Sequence, residues 1–104
     1  VIYRIRYHPS VGRDLDGIAQ RILEFAGPKI AEAKLDEILQ TIRRLSVQPH
    51  IGSLRQDIAP GLRAIPAGRK GVVAFVVDDE AAQVLIYAVT YGGADWAMRT
   101  KLRR

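Results

Sequence analysis

Along the first eight residues Tyr3, Ile5 and Tyr7 alternate with Arg4, Arg6 and His8. That period of two is the pattern of a strand with one dry and one wet face. The spacing predicts a strand over residues 2–8, ended by Pro9-Ser10, with Ser10 placed to cap a following helix. From Val11 the period becomes helical. Val11, Leu15, Ile18, Ile22 and Phe25 form one apolar stripe and predict a helix over residues 11–26. Gly27 suits a helix end, and Pro28 suits the first turn of the next helix, where its missing N–H is not needed. Ala31, Leu35, Ile38, Ile42 and Leu45 step by 4, 3, 4 and 3, predicting a second helix over residues 28–47. Two amphipathic helices joined by Gly-Pro make an antiparallel hairpin. The second stripe lasts only two heptads, which favours core packing over a coiled coil.

Pro49, Gly52, Pro60 and Gly61 mark an irregular stretch over residues 48–61, with Leu54 and Ile58 expected to pin it to the core. A short strand follows over residues 62–66. Its Pro66 cannot donate to a ladder and belongs at an edge or a strand end. Gly68-Arg69-Lys70-Gly71 is a turn. Residues 72–77 and 83–91 are apolar, β-rich runs separated by Asp78-Asp79-Glu80, a hairpin. Gly92-Gly93 ends the last strand. Residues 94–102 predict a short helix, with Asp95 near its positive end and basic residues near its negative end. The reading is an α+β fold of order β-α-α-β-β-β plus a short C-terminal helix. An antiparallel sheet of about four strands carries the helical hairpin on one face, all in a single domain over residues 1–104.

The last two strands are apolar on both sides. Val73, Phe75 and Val77 alternate with Val72, Ala74 and Val76, and Leu85, Tyr87 and Val89 with Val84, Ile86 and Ala88. A sheet with one wet face would alternate with polar residues. The second face therefore needs a cover: the C-terminal segment, a second copy or a partner chain. Charge narrows the choice of partner. With 16 Lys+Arg against 11 Asp+Glu the net charge is +5, which favours nucleic acid, the ribosome or an acidic protein segment, although modest positive charge is also common in small proteins. The absence of cysteine removes disulfides, thiol nucleophiles and Cys-based zinc sites. With no long apolar run and no signal-like start, a cytoplasmic location is expected, without cofactor or metal.

The order of elements resembles the RelE/ParE toxins of type II toxin–antitoxin systems. The markers are Asp14-Leu15 and Ile18, then Leu45, Pro49 and Gly52, then Gly61-Leu62-Arg63, the two apolar strands, and Tyr91-Gly92-Gly93-Ala94-Asp95-Trp96. The resemblance covers nearly the whole chain. It implies a toxin encoded beside an antitoxin that wraps it with an extended or helical segment. Two targets are implied: RelE-like members cut mRNA on the ribosome, and ParE-like members poison DNA gyrase.

RNA cleavage through the 2′-hydroxyl needs a base, an acid and a cation beside the phosphorane. By the resemblance, Arg63 falls on a basic position of the RelE-like ribonucleases, and Tyr91 falls where many relatives carry His. Val72 and Gly92 stand where those enzymes carry arginine. Arg63 and Tyr91 are thus the remaining catalytic candidates, and the pattern favours the ParE-like branch with DNA gyrase as target. The alternatives are a ribosome-dependent mRNA endoribonuclease, a module that binds nucleic acid through Arg55, Arg63, Arg69 and Lys70 without catalysis, and a pseudo-toxin that only binds an antitoxin. His8 and His50 have no spacing that suggests a dyad or metal pair, and Glu80 reads as a solvated turn charge. Antitoxin contacts are expected at Val72, Ala74, Val76, Val84 and Ile86. Target contacts are expected at Trp96, Arg99, Lys101, Arg103 and Arg104, as one basic patch docked by the tryptophan. The plainer reading of Trp96 is a core anchor tying the C-terminal helix to the sheet, and the charges equally suit a helix end complementing its dipole.

Overall fold

In a computed structural model that describes residues 1–103, the helical periods become α1 (Val11–Ala26) and α2 (Pro28–Arg44). Gly27 joins them at φ 87 and ψ 173, a conformation that strains any side chain. Its N–H donates to the Leu23 carbonyl, and its own carbonyl accepts the Ala31 N–H, both at 3.1 Å. One residue therefore ends the first helix and starts the second. Ser10 stands at the α1 N-cap, but its side chain makes no cap bond. Its N–H instead donates to His8 Nδ1 at 3.1 Å. The second helix stops at Arg44, and residues 45–47 are a turn that buries Leu45.

The sheet has five strands in the order β1-β5-β4-β3-β2. They are β1 (Arg4–Tyr7), β2 (Ser53–Leu54), β3 (Leu62–Ala67), β4 (Gly71–Asp78) and β5 (Gln83–Tyr91). β2 to β5 pair antiparallel, but β1 runs parallel to β5 from the pair Arg4–Gln83 to Tyr7–Ile86. The sheet is therefore mixed, one strand larger than expected. Alternation along a strand specifies its faces, not the direction of its neighbour. Leu54, expected in the core, lies in the short β2 and is exposed, while Ile58 packs on the second face. Pro66 lies beyond the end of β2, where β3 has a neighbour on one side only.

The main core lies between sheet and hairpin. Ile18, Ile22, Ile38 and Ile42 meet Ile65, Val73, Phe75, Val84, Ile86 and Val89 there. Phe75 and Ile86 are fully enclosed, and burying each contributes about 1.5–3 kcal/mol. Phe25 is the exception on its stripe. It stands seven residues after Ile18, on the same side of α1, but the helix has run past the cover of the sheet and the ring is 90% exposed.

A β-bulge decides which residues share a face. Val73 pairs with Val89 and Ala74 with Ala88, but Phe75 pairs with Ile86, leaving Tyr87 as an extra residue in β5. Alternation slips by one there. Val84 and Ile86 consequently lie under the helices with Val89, fully buried, rather than beside Val72, Ala74 and Val76. They are core residues and not available as antitoxin contacts. The second face carries a smaller cluster of Ala59, Leu62, Ala74 and Ala88, with Ile58, Val76, Tyr87 and Trp96 packed against it. The chain covers this face in part by itself, with the segment before β3 and with α3 (Trp96–Arg103).

Candidate functional site

The C-terminal helix is built in three steps. Gly92 and Gly93, at φ 71 and 85, turn the chain out of β5. The Asp95 Oδ1 then accepts the Met98 N–H at 3.0 Å, an N-cap that starts α3. Trp96 docks on the second-face cluster, with the Arg55 guanidinium 5.3 Å from its ring centroid. Arg55 is itself held by Asp57 through contacts of 3.0 and 2.9 Å, so its charge is largely matched. One turn on, the buried Thr100 hydroxyl donates to the Trp96 carbonyl at 2.8 Å.

The far end of α3 is latched to α1. Arg103 grips Asp14 with two bonds, Nη2 to Oδ1 at 2.7 Å and Nη1 to Oδ2 at 2.5 Å. Its Nη1 also donates to the Tyr87 carbonyl at 3.0 Å, and Asp14 Oδ2 accepts the Val89 N–H at 3.0 Å. The Asp14 side chain is 5% exposed and that of Arg103 is 14% exposed. The Asp14 carboxylate raises the Arg103 pKa further above its ordinary value, against the pull of burial. Arg99 reaches the same carboxylate at 3.5 Å, a weak contact.

This geometry divides the expected basic patch. Arg103 faces inward because a buried carboxylate needs a cation and donors. Arg99 is half-exposed beside it, Lys101 is exposed on another side within the field of Asp57, and Arg104 lies outside the described residues. Trp96, Thr100 and Arg103 form the held side of α3, while Met98, Lys101 and Leu102 face solvent. Of the five expected antitoxin contacts, Val72 and Val76 keep some exposure, Ala74 is sealed beneath the second-face cluster, and Val84 and Ile86 lie in the core.

The two catalytic candidates are not brought together. Arg63 pairs with Phe75 and Tyr91 with Gly71, four residues away along β4, which separates them by about 13 Å along the strands and by a further two strand spacings of about 4.8 Å across β4. Arg63 instead donates to the His50 carbonyl at 3.1 Å. His50, half-exposed in its loop, has an acidic partner that spacing along the chain does not show: its Nε2 lies 2.8 Å from Asp79 Oδ1. The Tyr3 hydroxyl donates to the same oxygen at 2.6 Å, and its ring meets His50 edge-on at 6.0 Å. The Tyr3 bond, and then His50, hold the Asp79 carboxyl below its ordinary pKa; the same bond raises that of Tyr3. The group ties the loop after α2 to β1 and to the β4–β5 turn. His8 has a local role, accepting the Ser10 N–H, with its ring 6.3 Å from Tyr87. Among the described residues no group of three His, Cys, Asp or Glu could hold a metal ion. No helix there is long and apolar enough to cross a membrane.

The family model of the ParE toxin of type II toxin–antitoxin systems, parDE, matches residues 5–96. The chain belongs to the ParE toxin family. Toxin ParE3 of Caulobacter vibrioides is 42% identical over 59 residues, which make up 57% of this chain. The match spans just over half, 58%, of that relative's length. Among solved structures, a chromosomal ParDE system from P. aeruginosa aligns with a TM-score of 0.73 and 18% identity, over 86% of this chain and 96% of that one. The RelBE2 toxin–antitoxin complex from Mycobacterium tuberculosis aligns with a TM-score of 0.65 and 25% identity, over 88% and 100%. A mutant of the E. coli toxin RelE in the free state aligns with a TM-score of 0.69 and 11% identity, over 100% and 98%. The first and last of these show the fold. The ParE family model ends at Trp96, so the latch through Arg103 lies beyond the matched residues.

Proposed function

We propose that this ParE-family chain inhibits growth by binding DNA gyrase and is neutralised by an antitoxin encoded beside it. The observation that carries the reading is the family match over residues 5–96. Two structural features support binding rather than RNA cleavage. Arg63 and Tyr91 stand on two different strands with β4 between them, four pairing positions apart. α3 is fixed from within by Trp96, Thr100 and Arg103, so that Met98, Lys101 and Leu102 are presented on a rigid helix. An apolar pair one turn apart beside a cation suits a protein target, with charge steering the encounter. Trp96 and Arg99 flank that surface on the same helix.

Purified chain in gyrase supercoiling and cleavage assays, beside a ribosome-dependent mRNA cleavage assay, tests the reading. Inhibited supercoiling or trapped cleavage complexes are expected, reversed by the neighbouring gene's product. An inert gyrase assay overturns the target. The mRNA endoribonuclease is the second reading, favoured by the position of Arg63 beside His50 and close to Asp79. Codon-defined mRNA cleavage that is lost in Arg63→Ala selects it.

A further inference from the structure

Where α1 runs past the sheet, the tip of the helical hairpin and the β3–β4 turn enclose an open notch of about 720 Å³. Its apolar walls are Ile22, Phe25, Ile30 and Tyr91. Phe25 is 90% exposed and Ile30 47%, although neither position needs an apolar residue for the core. The rim is Arg21, Lys34, Arg69 and Lys70, and no carboxylate lines the notch. Lys34 meets Glu37 at 3.8 Å; among the described residues no carboxylate pairs with Arg21, Arg69 or Lys70.

We propose that this notch is the docking site for an acidic protein segment that inserts one large apolar side chain beside Phe25. Four cations around an apolar hollow select such an occupant by charge and by shape together. A second copy of this chain would bring its own cations against the rim. A flat anionic membrane would meet the rim but leave the hollow unfilled. The inference rests on the antitoxin-bound reading above, since the antitoxin is the expected owner of the segment, but it moves the principal contact from the sheet face to the hairpin tip.

The test is calorimetric titration of the purified chain with the protein encoded by the neighbouring gene. The variants are F25S/I30S, which empties the apolar walls, R21E/R69E/K70E, which reverses the rim, and R44E at the exposed far end of α2, away from the notch. All change side chains with solvent exposure, and circular dichroism verifies folding. Each tip variant is expected to weaken binding at least tenfold, the rim variant also removing much of the salt dependence, with R44E within twofold of the parent. Tip variants that bind like the parent overturn the notch and leave the antitoxin reading intact. If the parent ignores the neighbour's product, the antitoxin reading fails and the notch is tested alone. The probe is then a fluorescent polyglutamate peptide with one central Phe, compared with its Ser version. Binding that needs both the peptide's Phe and Phe25 of the protein supports the notch, and no binding overturns it. Retention on phosphatidylserine vesicles that F25S/I30S abolishes, with partner and peptide binding unchanged, assigns the hollow to lipid and also overturns it.

Discussion

Asp14 sits on an exposed-to-buried boundary of α1, yet its side chain is almost wholly enclosed and has its donors supplied from two distant places. A buried carboxylate deprived of its cation is strongly destabilising, by about 3–5 kcal/mol for well-enclosed pairs. Asp14→Ala is expected in that range, because it also orphans the Val89 N–H. Arg103→Met is expected near the lower end, since water reaches the guanidinium. In the double variant Asp14→Asn, Arg103→Met, the amide oxygen still accepts from Val89 and no charge is left alone. Its stability should return to within about 2 kcal/mol of the parent. A double-mutant cycle of Asp14→Asn and Arg103→Met, each alone and together, measures this by urea denaturation, and purely additive losses would refute the latch. Asp79 gives a pH signature. Its folded pKa is lowered, so the unfolded chain takes up the proton first as pH falls. The contribution is whole above about pH 4 and is lost as pH falls through the folded value. Asp79→Asn should lower stability at neutral pH and flatten the acid limb of the stability–pH curve. Neither cluster was legible in the sequence. Asp14 and Arg103 are 89 positions apart and His50 and Asp79 are 29 apart, so no local spacing links them.

Elements governed by local pattern read well. The stripe from Val11 and the Gly27-Pro28 junction place α1 over its observed residues, and the Asp78-Asp79-Glu80 turn places the β4–β5 hairpin. Elements governed by a neighbour did not. The bulge at Tyr87 leaves no composition signal, yet it exchanges the faces of Val84 and Ile86. The last helix shows both kinds of cause. Asp95 as cap and Trp96 as anchor follow from residue type, while the inward turn of Arg103 follows from Asp14 across the fold. The two sides of α3 should therefore separate in experiment. Lys101→Ala is expected to leave stability within about 0.5 kcal/mol and to weaken target inhibition. Trp96→Ala should lose about 2–4 kcal/mol, because a partly buried aromatic anchor is removed, and should impair inhibition through loss of the helix. Thermal denaturation beside the gyrase assay decides. A Lys101→Ala protein with undiminished inhibition would remove the outer face of α3 from target recognition.

Across the whole molecule, the two halves of the chain are joined by the parallel pairing of β1 with β5. Deleting residues 1–7 would uncover the β5 edge along Val84 and Ile86 and expose the strand's backbone groups. The shortened chain is expected to lose cooperative unfolding and to aggregate, which calorimetry and light scattering would detect. A soluble, cooperatively melting product would show that β1 is an ornament of the sheet. The same pairing has a consequence during synthesis. Contacts between distant segments form late, because the intervening chain must be made before its ends can meet. β1 leaves the ribosome before β5 is made and waits for it through the helical hairpin and three more strands, at about 5–20 residues per second. A nascent chain interrupted before residue 83 has no partner for its first strand. The toxin's fold is thus withheld until β5 has been made, and messages broken before it yield fragments without a finished sheet.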